Sequence, residues 1–192
     1  MQVQIRQWTK RILALVAAGV LALVGYLAFL HFNGNFHTVV EGELYRSAQV
    51  KGTQLSDYTA KVGLKSVLNL RGAAPGADWY KDEMAESARL GLVHADFELS
   101  ASRKVTTEEA VKLIALMRLL PKPLLIHCKH GSDRTGLLSA LYLAAIKGQG
   151  EDAALGQLSL RYGHFSVPYL SAAYPMDESW EDLEVSLKFA EN

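Results

Sequence analysis

Three features are scarce or missing in this sequence: cysteine, net charge and repetition. Its single cysteine, Cys128, excludes an intramolecular disulfide and a zinc site built from several cysteines. Lys and Arg together number 20, as do Asp and Glu, so no overall field attracts nucleic acid or another polyanion. We find no internal repeat and no low-complexity tract. Recognition of an anion must therefore be local, and we expect no nucleic-acid partner.

What is present suits one folded domain with an appendage. The 192 residues are 49% hydrophobic, which is enough for a core and unlike a disordered chain. By composition alone, the lone cysteine is either a small core residue or a reactive group.

The N-terminal appendage contains an apolar run at 12–30, without charge or proline. At about 1.5 Å per residue it would extend roughly 28 Å as a helix, close to the thickness of a bilayer's hydrocarbon core. The nearest basic residues before the run lie at 6, 10 and 11, whereas the first one after it is Arg46. This bias predicts a transmembrane anchor with residues 1–11 in the cytoplasm and the remainder outside, on the periplasmic side in a bacterium.

Two other interpretations of this run stay open. A cleaved signal peptide would have a shorter apolar region and a small-x-small site, whereas this run ends in Phe29-Leu30-His31-Phe32. A buried core helix is disfavoured because the run is apolar on all faces and lies at the chain end beside a basic cluster. We therefore favour an uncleaved anchor.

After a predicted linker at 31–43, the pattern alternates between strand and helix through a domain at 44–192. Predicted strands cover 44–46, 65–70, 92–99 and 123–126, and predicted helices cover 54–61, 77–90, 106–120, 135–147 and much of 151–192. The alternation indicates an α/β fold with a central, mostly parallel sheet flanked by helices.

The loop 127–136 joins the most apolar predicted strand to the helix that follows it. In such sheets ligands bind beyond the carboxyl ends of strands, and a helix N-terminus offers unpaired N–H groups to an anion. Gly131 allows the backbone to curl, and the same amides would stabilise a thiolate on Cys128. Arg134, in the first helical turn, can bind two phosphoryl oxygens with its planar guanidinium.

The run from His127 to Gly136 resembles the signature H-C-x-x-G-x-x-R-[ST]-G of the protein tyrosine and dual-specificity phosphatase superfamily at every fixed position. The resemblance implies a dual-specificity phosphatase-like fold and hydrolysis through a phosphocysteine on Cys128, with no metal or other cofactor. It also implies that Thr135 assists the departing sulfur. The substrate-binding residues would be Lys129, His130, Gly131, Ser132, Asp133 and Arg134.

A weaker resemblance covers 44–165 and points to small bacterial dual-specificity-like phosphatases, some of them exported. Its segments are 44–47, 67–72 and 160–165, the last of which we expect to pack beneath the loop. Export of such relatives agrees with a catalytic domain outside the cytoplasm.

The general acid is open to several assignments, since superfamily members usually supply an aspartic acid from another loop. Asp96 is our first choice because its distance from Cys128 along the chain is like that of the acid in small dual-specificity enzymes. Two features depart from the family pattern, since residues 97–99 continue the predicted strand and residues 100–104 contain no carboxylate. Asp133 is the rival, as in phosphoinositide-directed members, and its alternative role is to complement the helix dipole. The remaining possibilities are that Glu98 is the general acid or that the enzyme uses none.

The substrate class follows from the same residues. We expect phosphotyrosine, and also phosphoserine or phosphothreonine, in proteins. Lys129 and His130, together with Arg71, could instead favour an inositol phosphate or a phosphoinositide, with Arg46 and Arg103 as further candidates. A phospho-binding module without turnover would normally have lost the nucleophile or the arginine, and a rhodanese-type sulfurtransferase does not need the matching positions after Cys128.

Overall fold

The apolar N-terminus forms one long helix in the computed structural model, which describes residues 2–187, with side chains from residue 6 onward. Helix α1 spans Gln2–Phe32, so it begins ten residues before the predicted run 12–30. Its stretch Arg6–Phe32 is long and apolar enough to cross a membrane, a property that it shares with signal sequences. The chain divides into two compact units, residues 1–33 and 34–192.

The second unit is built on a five-stranded sheet. Its strands are β1 (His37–Val40), β2 (Leu44–Ser47), β3 (Ser66–Asn69), β4 (Val93–Asp96) and β5 (Leu124–His127). Their order is β1-β2-β5-β3-β4, and only the β1–β2 pair is antiparallel among the strand pairs of the described residues. The predicted α/β class with a mostly parallel sheet is confirmed.

Helices cover both faces of this sheet. They are α2 (Gly52–Val62), α3 (Asp78–Arg89), α4 (Thr107–Leu119), α5 (Asp133–Ala145), α6 (Glu151–Leu155) and α7 (Tyr174–Ser186), with a 3₁₀ turn at Leu160–Tyr162. Adjacent strand residues face opposite sides. Val67 packs with Leu55 of α2, whereas Leu68 packs with Leu113 of α4 and Leu138 of α5. The capping box predicted at Thr106 and Glu109 starts α4 as expected.

The central strand β5 places the functional loop. Leu124, Leu125 and Ile126 are completely buried, because β5 lies between β2 and β3 with helices on both faces. A continuous apolar run is the pattern of such a strand. Parallel pairing aligns Ser47, Asn69 and His127 at one edge of the sheet.

The predicted linker 31–43 differs from the structure. Residues 31–32 end α1, and His37–Val40 forms β1, which pairs with β2 in the sheet. The segment was missed because its turn residues Asn33-Gly34-Asn35 dominate a strand of only four residues. Gly34 and Asn35 both have positive φ, and the carbonyl of Gly34 accepts a hydrogen bond from the amide of Ala48.

Candidate active site

The sole cysteine lies at the end of β5, where the chain leaves the sheet. Cys128 is 2% exposed, and the backbone N–H of Gly131 donates a hydrogen bond to its Sγ at 3.2 Å. An amide that points at a sulfur stabilises the thiolate form. The loop therefore curls around Sγ, as expected for an anion cradle.

Gly131 holds this curl for two reasons. Its φ is +74°, a conformation that side chains disfavour, and a Cβ here would lie 2.6 Å from both Ala48 N and Ser47 C. No flexible side chain could move to relieve that contact, because both atoms belong to backbone. The loop can approach β2 so closely only with glycine at this position.

Arg134 leaves one edge of its guanidinium unused. It lies in the first turn of α5, and its Nη1 donates to the carbonyl oxygens of Leu70 at 3.3 Å and Leu99 at 3.0 Å. Its buried Nε has no hydrogen-bond partner within residues 2–187. The two carbonyls fix the side chain, and the edge formed by Nε and Nη2 is available to an anion.

The remaining loop residues differ in exposure. Thr135 is fully buried, and its Oγ1 lacks a hydrogen-bond partner in the described part of the chain. Ser132 is buried and does not cap α5 with its side chain. Lys129 and His130 are exposed at the loop surface.

Asp133 is bound to the C-terminal part of the domain. Its Oδ1 lies 2.8 Å from His164 Nδ1, and His164 Nε2 lies 3.1 Å from Asp177 Oδ2 on α7. Burial opposes a charge on His164, but the hydrogen bond to Asp133 and the two negative charges raise its pKa above the ordinary value. The imidazole of His164 thus bridges Asp133 on α5 and Asp177 on α7.

Asp96 is the last residue of β4, so the predicted strand 92–99 ends three residues early. Beyond Asp96 two backbone hydrogen bonds continue towards the neighbouring chain segment, from Phe97 N to Asn69 O at 2.9 Å and from Leu99 N to Leu70 O at 3.2 Å. The regular ladder ends there because β3 ends at Asn69 and the chain turns at Gly72, whose φ is +79°. The carboxylate of Asp96 accepts hydrogen bonds from Asn69 Nδ2 at 2.7 Å and from the hydroxyl of Tyr80 at 2.5 Å. The latter bond raises the pKa of Tyr80 to about 12.

Glu98 lies outside this arrangement. Its side chain is exposed, and its Cβ faces Gly72, which has no room for a side chain of its own.

Arg46 has a structural contact that the sequence did not reveal. It is 0% exposed and donates to the carbonyl oxygens of Gly131 and Ser132, and to the carbonyl and Oε1 of Gln157. Its guanidinium also lies 3.9 Å from the ring centre of Tyr162. Burial lowers its pKa to about 10, with partial compensation from nearby Tyr162, Cys128 and Asp133, so it stays charged at neutral pH.

Asn35, in the predicted linker, supports the loop from the same direction. Its Nδ2 donates to the carbonyl oxygens of His130 and Tyr162, at 3.0 and 2.9 Å. The only sequence signal for this role was the turn around Gly34. The segment 160–165 is thus in contact with the loop, as expected, although Phe165 is 55% exposed.

The other predicted basic residues separate into two groups. Arg71 donates to Gln49 Oε1, and its guanidinium lies 3.6 Å from the ring centre of Trp79. Burial and the nearby charge of Arg134 lower the pKa of Arg71. Gln49 in turn donates its backbone N–H to the carbonyl of Lys129, so Arg71 is tied to the loop. Arg103 instead pairs with Glu109 at 2.6 Å, on the solvent side.

Comparison with known proteins places this geometry among phosphatases. Residues 31–155 match the model of a family described as "Tyrosine phosphatase family". A 36-residue stretch is 47% identical to the dual specificity protein phosphatase TpbA of Pseudomonas aeruginosa, and covers 19% of this chain and 16% of that relative. The sequence match thus spans less than a fifth of the relative's length.

Solved structures extend the likeness over most of the chain. TpbA of P. aeruginosa in complex with pTyr superposes with a TM-score of 0.57 and 21% identity, covering 83% of this chain and 86% of the other. The catalytic core of the PP-IP phosphatase SIW14 from S. cerevisiae gives 0.58 and 20%, covering 81% and 93%. Tk-PTP in its active form gives 0.62 and 16%, covering 79% and 97%. At these identities the likeness establishes the fold.

Proposed function

Since the chain belongs to the tyrosine phosphatase family, we propose that it is a cysteine-dependent phosphatase that hydrolyses phosphate monoesters through a phosphocysteine. The observation that carries this proposal is the hydrogen bond from the Gly131 amide to Cys128 Sγ at 3.2 Å. It places a stabilised sulfur at the base of a loop whose following helix carries Arg134 in its first turn.

The reaction has two steps. The Cys128 thiolate attacks phosphorus, the bond to the leaving oxygen breaks, and that oxygen takes up a proton. Water then attacks phosphocysteine and gives a proton to the carboxylate that was deprotonated in the first step. The P–S bond breaks, and the thiolate departs with a hydrogen bond from the Thr135 hydroxyl. The free edge of Arg134 and the loop amides bind the equatorial oxygens, where charge is highest in the transition state.

For the proton donor we propose Asp96. It ends β4 two strands away from β5, at about 4.8 Å per strand, so its Cα lies about 10 Å from that of His127. A phosphoryl group with its leaving oxygen fits in a gap of that size. Asp133, by contrast, directs a carboxylate oxygen to His164, which supports a role in joining α5 to α7.

For the substrate we propose phosphotyrosine, with phosphoserine or phosphothreonine, in proteins. The similarity in fold to TpbA in complex with pTyr supports this choice. The second candidate is an inositol phosphate or a phosphoinositide, and three cationic side chains favour it. Lys129 and His130 are exposed on the loop, and Arg71 is tied to it through Gln49.

The test is turnover by purified protein on a phosphotyrosine peptide, a phosphoserine peptide and a panel of phosphoinositides. We expect phosphate release by the wild type and none above background by Cys128→Ser. Turnover that survives Cys128→Ser would refute the mechanism. A preference of at least about tenfold in kcat/KM for either class of substrate would decide between the two candidates.

We further propose that α1 anchors the enzyme as a single-pass span over 12–30. Residues 1–11 would lie in the cytoplasm and the catalytic domain outside, because the basic residues precede the span. Alkaline carbonate should leave the full-length protein in the membrane fraction. Release of a shortened chain would indicate a cleaved signal instead.

A further inference from the structure

One buried carboxylate next to the active site has no role in the steps above. Glu83 lies on α3, and its side chain is completely buried. Its Oε1 lies 2.8 Å from His127 Nε2 and 2.7 Å from His94 Nε2, and its Oε2 accepts from Gln49 Nε2 at 2.5 Å. In the sequence it is one of several acidic residues on an amphipathic helix, and nothing singles it out.

The partners of Glu83 keep it ionised. A buried carboxylate is costly unless it is paired and hydrogen-bonded. Burial raises its pKa, but the charge of His127 and the hydrogen bonds from His127, His94 and Gln49 outweigh this and lower the pKa to about 2. A carboxylate only accepts hydrogen bonds, so the proton of His127 must be on Nε2.

His127 precedes Cys128, and among the side chains that the structure describes only Glu83 is hydrogen-bonded to its ring. Its ring is completely buried, and Nδ1 lacks a hydrogen-bond partner among residues 2–187. Glu83 therefore orients this ring through the contact at Nε2, and an imidazolium beside a thiol favours the thiolate. Resting on the proposed function, we propose that Glu83 is a positioning residue that holds His127 as an imidazolium and thereby stabilises the thiolate of Cys128.

Other titratable or charged groups surround this pair. They are Tyr80 on α3, His94 and Asp96 on β4, Arg71 after β3, Arg46 on β2 and Arg134 on α5. All of them are retained when Glu83 is replaced by glutamine. Direct removal of a negative charge would stabilise the thiolate, whereas loss of the imidazolium would destabilise it, so the two effects have opposite signs.

The test is the pH dependence of Cys128 in full-length Glu83→Gln. Cys128 is the only cysteine, so its rate of alkylation by iodoacetamide reports the thiolate without interference. We expect the alkylation midpoint and the acid limb of kcat/KM to move up by about one pH unit, with about tenfold lower kcat/KM below the midpoint. An unchanged or lowered midpoint would overturn the proposal, even if the variant is less stable.

Two further variants complete the experiment. His94→Gln removes the other imidazole from the same carboxylate and should leave the midpoint unchanged, and an equal shift there would overturn the proposal. Glu83→Asp keeps the charge but withdraws it by one methylene, so its midpoint should lie between those of the wild type and Glu83→Gln. If Glu83→Gln does not fold, Glu83→Asp is measured in its place. An alkylation midpoint of Glu83→Asp equal to that of the wild type would refute the role of Glu83.

The two proposals fail in different ways. A shifted alkylation midpoint in a protein without phosphatase turnover would refute the proposed function and support the role of Glu83. Phosphatase turnover with an unshifted alkylation midpoint in Glu83→Gln would support the proposed function and refute the role of Glu83.

Discussion

The loop at Cys128 is held from two sides that use opposite charges. On the side of the C-terminal segment, the guanidinium of Arg46 donates hydrogen bonds to the carbonyl oxygens of Gly131 and Ser132, so it fixes the backbone of the loop. On the side of α3, the anion of Glu83 binds the ring of His127, so it fixes a side chain. The backbone of the loop and the side chain of His127 are therefore held by separate residues, which substitutions can disturb one at a time.

The largest effect should come from the side that sets the shape. Arg46→Met leaves four carbonyl or amide oxygens without their donor, and we expect about 3 kcal/mol lower free energy of unfolding. The loop amides lose their alignment, so kcat/KM should fall about 1,000-fold. Urea denaturation and steady-state kinetics on an aryl phosphate measure the two effects.

The matched control is Arg103→Met, which removes an exposed arginine paired with Glu109. It should change the free energy of unfolding by no more than about 0.5 kcal/mol and leave kcat/KM unchanged. Equal losses in both variants would remove the distinction between the two arginines.

The two candidate acids have different partners, because Asp96 contacts Asn69 and Tyr80 whereas Asp133 contacts His164. Asp96→Asn should lower kcat on a phosphoserine peptide about 100-fold, and less on an aryl phosphate, because a poor leaving group depends more on proton transfer. Asp133→Asn disturbs the contact with His164 and should affect both substrates equally. The measurement is kcat for both variants on both substrates.

A dependence on the leaving group in Asp133→Asn alone would reverse this assignment. Equal losses on both substrates in each variant would leave neither carboxylate as the donor.

The smallest effect concerns the junction between Asp133 and α7. The raised pKa of His164 means that its charge stabilises the fold below its ordinary value of 6.5, and that this contribution disappears as pH rises through the folded-state pKa. His164→Gln should therefore cost about 1 kcal/mol near pH 6 and less near pH 9. Unfolding free energies of the wild type and the variant at both pH values give the difference.

His37 supplies a control with the opposite sign. Burial and the charges of Arg46 and Arg161 lower the pKa of His37, so its presence destabilises the fold as pH falls. His37→Gln should thus become relatively more stable near pH 6. If the difference in unfolding free energy between the wild type and His164→Gln did not vary with pH, a charge on His164 would not contribute to its contact with Asp133 and Asp177.

Much of the fold and the chemical core could be predicted from the sequence because local physics determined them. The run Leu124–Ile126 is too apolar for an exposed strand, and Thr106 with Glu109 caps a helix wherever it occurs. Gly131 must be glycine for reasons of backbone conformation, and Cys128 with Arg134 keeps a spacing that the strand and helix impose.

The rest depends on contacts between distant parts of the chain. Arg46 meets Gly131 across 85 positions, and Glu83 meets His127 across 44, so no periodicity or motif connects them. Strand β1 has only four residues and gains its stability from pairing with β2. Arg46 was read as a substrate ligand because an arginine that binds carbonyls and one that binds phosphate look alike in a sequence.

The phosphocysteine mechanism is tested most directly by stopping the reaction with acid during turnover and locating the phosphate by mass spectrometry of the digested protein. We predict a phosphorylated Cys128 in the wild type. The phosphorylated fraction should be larger in Thr135→Ala, because the second step loses the hydrogen bond to the departing sulfur. Phosphate on another residue, or steady turnover with Cys128 never modified, would contradict this mechanism.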